Sequence, residues 1–265
     1  MSGARVALIT GGSSGIGRAT AARFAAGGWR VYEMSRRDIP QSRVTHLAAD
    51  VTDEAAVQSA VGAVLAAEGQ IDVLVSCAGF GISGAVEFTR AEDAKRQLDV
   101  NFFGTVNVVK AVLTAMRERG RGRILCVSSV AGAIAIPFQT YYSVSKAAIN
   151  AYACALANEV RPYGVSVAAV MPGDFSTGFT DVREKSPDGD DAYGGRIARS
   201  VAGMEKDERN GMQPEVAAAF LFRLAEKGRV KPLYAIGGLY KFFTFLGKVL
   251  PIRLVSWIVY QMYAR

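Results

Sequence analysis

With 265 residues, half of them hydrophobic, the chain can bury one large core without needing a second domain. Three cysteines, an odd count with no C-x-x-C spacing, argue against a disulfide framework and for free thiols in a reducing cytoplasm. One histidine and no carboxylate cluster leave no ligand set for a catalytic metal, and the net charge of +7 is too scattered to assign a nucleic-acid partner.

Taken in chain order, Ala4 to Ile9 is a short apolar run rich in β-branched residues and predicts a strand over 5–9. It leads directly into Thr10-Gly11-Gly12-Ser13-Ser14-Gly15-Ile16-Gly17 and a helix over 16–27, so no secretory signal is expected. Glycines in such a turn let backbone approach a pyrophosphate, and the unpaired N–H groups of the helix start hold the anion. The T-G-x-x-x-G-x-G spacing departs from the G-x-G-x-x-G fingerprint of other dinucleotide folds. Strands are predicted near 30–34, 43–48 and 72–76, with a helix over 53–68 between the last two. Glu33 is an unexpected charge in its strand, and His46, with no nucleophile nearby, reads as structural.

One long helix is predicted over 91–117, then a strand over 122–128. The cluster Arg117, Arg119, Arg121 and Arg123 reads as a solvated cap, where cations suit the helix carboxyl end. A helix over 140–161 carries Tyr142 and Lys146, four apart and on one face. An ammonium beside a tyrosine favours phenolate, and a depressed Tyr142 pKa would suit a general acid/base. A continuous apolar strand over 165–170, a polar stretch over 181–211, a helix over 213–227 and a strand over 232–236 follow. Beyond Gly237 the chain reads as two short apolar helices broken at Pro251, too short to span a bilayer. Three readings of this tail remain open: an interface, a wall over an apolar substrate, or a peripheral membrane contact through 239–263. Alternating strands and helices predict an α/β, single-domain, doubly wound parallel sheet of Rossmann-like type with about seven strands.

The glycine turn and the Tyr142/Lys146 pair together resemble the short-chain dehydrogenase/reductase family. Further signatures fall in order. Cys77-Ala78-Gly79 stands where the family usually has Asn-Ala-Gly, Asn101 lies in Val100-Asn101-Phe102-Phe103-Gly104, and Ser129 precedes Tyr142 by thirteen positions. Pro172-Gly173-Asp174-Phe175-Ser176-Thr177 resembles the segment that holds the nicotinamide amide. The resemblance covers residues 4–236 and implies catalytic roles for Asn101, Ser129, Tyr142 and Lys146. Tyr142 would exchange the proton, Lys146 would hold ribose hydroxyls and stabilise the phenolate, Ser129 would bond the substrate oxygen, and Asn101 would order a relay water.

For the cofactor, the resemblance implies contacts from Gly11, Ser13, Ser14, Gly15, Ile16 and Gly17 to the pyrophosphate. Asp50 and Val51 would border the adenine, and Ala78 and Gly79 the adenosine ribose. Pro172, Gly173, Phe175 and Thr177 would hold the nicotinamide, beside Asn101, Tyr142 and Lys146. Ser35 and Arg36 stand where an NAD(H) enzyme normally offers a carboxylate, so NADP(H) is expected over NAD(H). The implied organisation is a catalytic domain over 1–236 with a substrate lid at 174–211, plus an apolar helical extension over 237–265. Expected partners are a lipophilic, steroid- or retinoid-like carbonyl or alcohol and a second copy, as homodimer or homotetramer through the helices at 91–117 and 140–161. The alternatives are a 3-oxoacyl thioester reductase and a non-catalytic NADPH-sensing regulator.

Overall fold

A computed structural model describes residues 4–186 and 188–265. The first half runs β1 (Val6–Thr10), α1 (Gly15–Ala26), β2 (Arg30–Ser35), β3 (Val44–Ala48), α2 (Glu54–Glu68), β4 (Val73–Ser76), the two-residue β5 (Ile82–Ser83), α3 (Ala91–Leu98) and α4 (Gly104–Glu118). The second half runs β6 (Gly122–Val127), α5 (Thr140–Glu159), β7 (Val165–Met171), the two-residue β8 (Glu184–Lys185), α6 (Arg196–Arg209), α7 (Pro214–Glu226), β9 (Leu233–Ala235), α8 (Gly238–Val249) and α9 (Ile252–Tyr263). Seven strands form one parallel sheet in the order β3-β2-β1-β4-β6-β7-β9.

The near-continuous apolar strands follow from burial on both sides. Within β1, Val6 and Leu8 join a core with Val61 of α2, Val112 of α4 and Ile149 of α5. Their neighbours Ala7 and Ile9 face the opposite core with Phe24 of α1 and Leu221 of α7. Helix starts and stops obey local chemistry: Asp53 accepts from the Ala56 N–H at 3.0 Å to open α2, and Gly69, at φ 69°, closes it. The order reverses at β1, which pairs with both β2 and β4, opening a crevice at the strands' carboxyl ends.

Three local expectations are corrected. The helix predicted over 91–117 is interrupted by a wide π turn at Asp99–Phe103, which turns Asn101 fully inside. The whole segment Ala91–Glu118 reaches a mean hydropathy of 1.2 over eighteen residues, but Val108, Val109, Val112 and Met116 spend that apolar face on the sheet. The arginine cluster is not simply a solvated cap: Arg119 pairs with Asp72 at 2.9 Å, and Arg123 is buried and donates to the Lys227 carbonyl at 2.7 Å, just beyond α7. Within the polar stretch, α6 is a full helix whose Ile197, Val201 and Met204 form a narrow apolar stripe. β8 pairs with β5 in a second small sheet, and Pro187 of this stretch lies outside the described residues.

Glu33 and His46 acquire a physical account. β2 and β3 pair in a register that sets them side by side, and the His46 Nδ1 contacts the Glu33 carboxylate. Ser35 Oγ donates to the same carboxylate at 3.3 Å.

Candidate active site

The crevice deepens into a cavity of about 730 Å³ running from the glycine turn to the carboxyl-terminal helices. The turn that starts it is built for close approach. Gly11 and Gly15 adopt positive φ of 67° and 51°, and a Cβ at Gly17 would meet the Gly11 carbonyl oxygen at 2.3 Å. Across the sheet, Thr10 Oγ1 accepts from the N–H groups of Cys77 and Ala78 at 3.1 and 3.2 Å, locking the ends of β1 and β4 together. Such a cradle of glycine backbone at the start of α1 fits a dinucleotide pyrophosphate.

Fourteen of the expected site residues line the cavity. They are Gly11, Ser14, Gly15, Ile16 and Gly17 from the turn; Ala78 and Gly79 after β4; Ser129, Tyr142 and Lys146; and Pro172, Gly173, Phe175 and Thr177 after β7. Ser13, Ser35, Arg36, Asp50, Val51 and Asn101 lie outside its lining. Ser13 is buried in the turn. Arg36 is exposed, with its guanidinium 3.9 Å from Asp50, an ion pair weak enough for a phosphate to displace. Asp50 also accepts from the Thr52 N–H at 2.9 Å, and Val51 is buried where a Cβ at Gly104 would strike it at 2.5 Å.

Asn101 acts on backbone. Its Oδ1 accepts from the Phe80 N–H at 2.9 Å, and its Nδ2 donates to the Phe80 carbonyl and to Ser145 Oγ, each at 3.0 Å. Its side chain is thereby committed to shaping the segment after β4, and Gly79 passes so close that a Cβ there would meet Asn101 Oδ1 at 3.0 Å.

Lys146 is buried and donates from Nζ to the Val127 carbonyl at 3.1 Å, with Nζ 5.7 Å from the centre of the Tyr142 ring. The Ser129 hydroxyl accepts from the Ala131 N–H at 3.1 Å, which leaves its proton available to the cavity. The phenol ring also leans on Phe179, 5.6 Å between centres. The expected depression of the Tyr142 pKa is reversed in the protein alone. Burial pushes the phenol up to about 12, against the lowering effect of the Ser129 hydroxyl, and nearby Glu208 and Asp174 raise it further. Burial likewise pulls Lys146 down to about 8, partly opposed by the Cys77 and Cys126 thiols. Tyr142 is therefore a protonated donor at neutral pH, and Lys146 is a cation that can lose its charge just above it.

The tail forms two helices and lines the cavity, the arrangement that one of its three readings, a wall over the substrate, requires. α8 contributes Tyr240, Phe243 and Leu246 to the cavity, Leu250 just beyond it also lines the wall, and α9 contributes Val255 and Val259. Tyr240 donates to Asp174 at 2.6 Å and packs where a Cβ at Gly173 would meet its ring at 2.3 Å. Three carboxylates also line the cavity, Asp174, Asp207 and Glu208, the last paired with Arg183 and accepting from Thr180 at 2.7 Å. Burial raises the Asp174 pKa, opposed by the Tyr240 bond. Among the described residues no group of three or more His, Cys, Asp or Glu could hold a metal ion.

The glycine cradle, the Tyr142/Lys146/Ser129 group and the doubly wound sheet suit a dinucleotide-dependent oxidoreductase, and residues 5–188 match the short chain dehydrogenase family. The chain belongs to the short-chain dehydrogenase/reductase family. It is 41% identical over 226 residues to a 3-ketodihydrosphingosine reductase of Bacteroides thetaiotaomicron, covering 84% of each chain. It is 32% identical over 247 residues to the dehydrogenase/reductase SDR family member 7B of Xenopus tropicalis, covering 87% of this chain and 77% of that one. A short-chain dehydrogenase from Streptomyces avermitilis has a similar structure, with a TM-score of 0.84, 30% identity and coverage of 97% and 98%. The fold binds a nicotinamide dinucleotide. Similar folds, at 23% and 24% identity, carry NADP in one case and NADH in another, so the fold alone does not choose between them.

Proposed function

We propose that this protein is an NADP(H)-dependent reductase of a long-chain lipophilic ketone, with Tyr142 as the proton donor. The observation that carries the reading is the meeting, in one cavity, of Tyr142, Lys146 and Ser129 with an apolar wall from α8 and α9. When bound, the cofactor supplies the hydride to the carbonyl carbon, or accepts it in the reverse direction.

The chain's own residues do the rest. The Ser129 hydroxyl bonds the substrate oxygen and fixes it beside Tyr142, whose phenol gives up its proton as negative charge grows on that oxygen. Lys146 stays charged below about pH 8, holds the ribose hydroxyls and stabilises the phenolate that results. Asn101 holds the Phe80 backbone in place; the relay water expected from the sequence would have to be ordered beside an amide already committed to Phe80 and Ser145. The turn from Gly11 to Gly17 takes the pyrophosphate, and Ser35 with Arg36 takes a 2′-phosphate. Asp50 and Val51 would border the adenine, Ala78 and Gly79 the adenosine ribose, and Pro172, Gly173, Phe175 and Thr177 would hold the nicotinamide.

The substrate reading rests on two features. The Bacteroides relative is a 3-ketodihydrosphingosine reductase, and that compound is a long-chain ketone with an amine next to the carbonyl carbon. Here the apolar wall suits an acyl chain, and Asp174 and Asp207 suit a neighbouring ammonium, Glu208 being already paired with Arg183. This puts an amino ketone ahead of the steroid- or retinoid-like substrate expected from sequence. The same carboxylates disfavour the phosphorylated arm of an acyl carrier, and an intact Tyr142/Lys146 pair disfavours a sensor without turnover. Residues 174–211, with α6, would close the substrate side. Exposed Phe103, at the end of the π turn before α4, and Val144 of α5 are consistent with self-association through these helices as a cytoplasmic homodimer or homotetramer.

The test is a panel of ketones with NADPH, read by loss of cofactor absorbance. 3-Ketodihydrosphingosine should give a kcat/KM at least tenfold above a long-chain ketone lacking the amine, and above steroid, retinoid and 3-oxoacyl thioester substrates. Fastest turnover on the thioester would overturn the assignment, as would absence of turnover on every ketone.

A further inference from the structure

Of the sixteen exposed large apolar side chains among the described residues, ten lie between Leu239 and Met262. They are divided by face. Phe242, Phe245 and Val249 of α8, with Ile252 and Trp257 of α9, are more than half exposed and take no part in the cavity. The opposite stripe of each helix, represented by Phe243 and Val259, lines it. Three side chains do both: Leu239 is 59% exposed, Ile258 37% and Met262 55%, and all three line the cavity. The cavity therefore reaches the outside at the apolar face of this hairpin, as it also does at Val182, which is exposed and lines it.

The charge on that face has one sign. Residues 237–265 contain Lys241, Lys248, Arg253 and Arg265 and no acidic residue, and all four basic side chains are exposed. A second copy docked face to face would set cation against cation, whereas an anionic lipid surface complements both the cations and the apolar stripe. Each helix has twelve residues, about 18 Å of length, well short of the roughly 30 Å hydrocarbon core, so the hairpin lies along a surface and does not cross it. Trp257 and Tyr260 are exposed residue types suited to the headgroup boundary.

We infer that α8 and α9 dock the protein on an anionic bilayer and turn the cavity mouth at Leu239, Ile258 and Met262 toward the lipid, so that substrate enters from the membrane. The substrate-entry half of this inference rests on the ketone reductase reading; the docking half does not. An apolar ketone then moves from acyl chains to an apolar wall without crossing water.

The experiment is vesicle flotation of the full chain, with phosphatidylcholine alone or mixed with phosphatidylglycerol, at low and high salt. Wild type should float with the anionic vesicles at least tenfold more than with neutral ones, and less at high salt. Phe242→Glu/Phe245→Glu and Lys241→Glu/Lys248→Glu should each reduce flotation tenfold or more. Both should keep the turnover of a short, water-soluble ketone within twofold of wild type while losing at least fivefold on a long-chain ketone held in vesicles. Equal flotation with both vesicle types, or none, overturns the inference. So does a dimer, seen by analytical ultracentrifugation, that the Phe242→Glu/Phe245→Glu chain loses while wild type ignores vesicles. If no ketone is reduced under any condition, the ketone reductase reading fails, and flotation still decides the docking.

Discussion

Lys146→Met exchanges a buried ammonium for a thioether of similar length, and its effect on stability can be worked from the site. Burial lowers the Lys146 pKa from 10.5 to about 8. At about 1.4 kcal/mol per tenfold change in proton affinity, holding the charge in the folded protein at pH 7 costs about 3 kcal/mol. The substitution also removes the 3.1 Å bond from Nζ to the Val127 carbonyl, a loss of about 1 kcal/mol. Lys146→Met should therefore be more stable than wild type by about 2 kcal/mol at pH 7, while turnover collapses. Because the folded pKa lies below the unfolded one, the unfolded chain binds the extra proton between about pH 8 and 10.5, and wild-type stability rises with pH across that window. By pH 10 the advantage of methionine should shrink to roughly zero. Urea unfolding of the cofactor-free protein, followed by fluorescence of the buried Trp29, measures both values. A methionine variant less stable than wild type at pH 7, or a difference unchanged at pH 10, would refute a lysine held charged against burial. A lysine retained at such a cost marks a site selected for chemistry over stability.

Tyr142→Phe should keep the fold and cofactor affinity yet lower kcat by roughly 10²–10⁴-fold, since only the proton donor is removed; stopped-flow hydride transfer with saturating NADPH measures it. Arg36→Ala should weaken NADPH about tenfold or more while leaving NADH within twofold, read by cofactor fluorescence titration; equal effects on both would deny the 2′-phosphate contact. Phe243→Ala should raise KM for a long-chain ketone far more than for a short one, because it shortens the apolar wall without touching Tyr142.

Much of this was readable because the physics is local. β1 needs apolar residues at every position, since Leu8 and Ile9 face opposite cores, and that burial pattern shows directly as a continuous run. Tyr142 and Lys146 are one helical turn apart, so their meeting required no tertiary knowledge. What stayed hidden depended on distant neighbours. The direction of the Tyr142 pKa is set by burial under Phe179 and the approach of Glu208 and Asp174, none of which spacing reveals. Glu33 made sense only once the β2–β3 register put His46 beside it. α6 escaped because only Ile197, Val201 and Met204 supply large apolar side chains in a helix otherwise of polar, charged or small residues. The role of the tail needed the Tyr240 contact with Gly173 and Asp174, two segments more than sixty residues apart in sequence.

The π turn at Asp99–Phe103 makes this stretch sensitive to length as well as to composition. Gln97 before it and Asn101 within it both hold the Phe80 backbone, with Gln97 Nε2 donating to the Phe80 carbonyl at 3.2 Å. A π turn holds one residue more than an α turn, so deleting one residue here would let the helix close as a regular α turn, with Gln97 and α4 near their present phase but Asn101 moved out of its buried seat. Conservative replacements at Val100 or Phe102 keep the extra residue, whereas a single-residue deletion there removes the width that seats Asn101. It would unseat Phe80, and with it the backbone that passes Lys146 at Gly79.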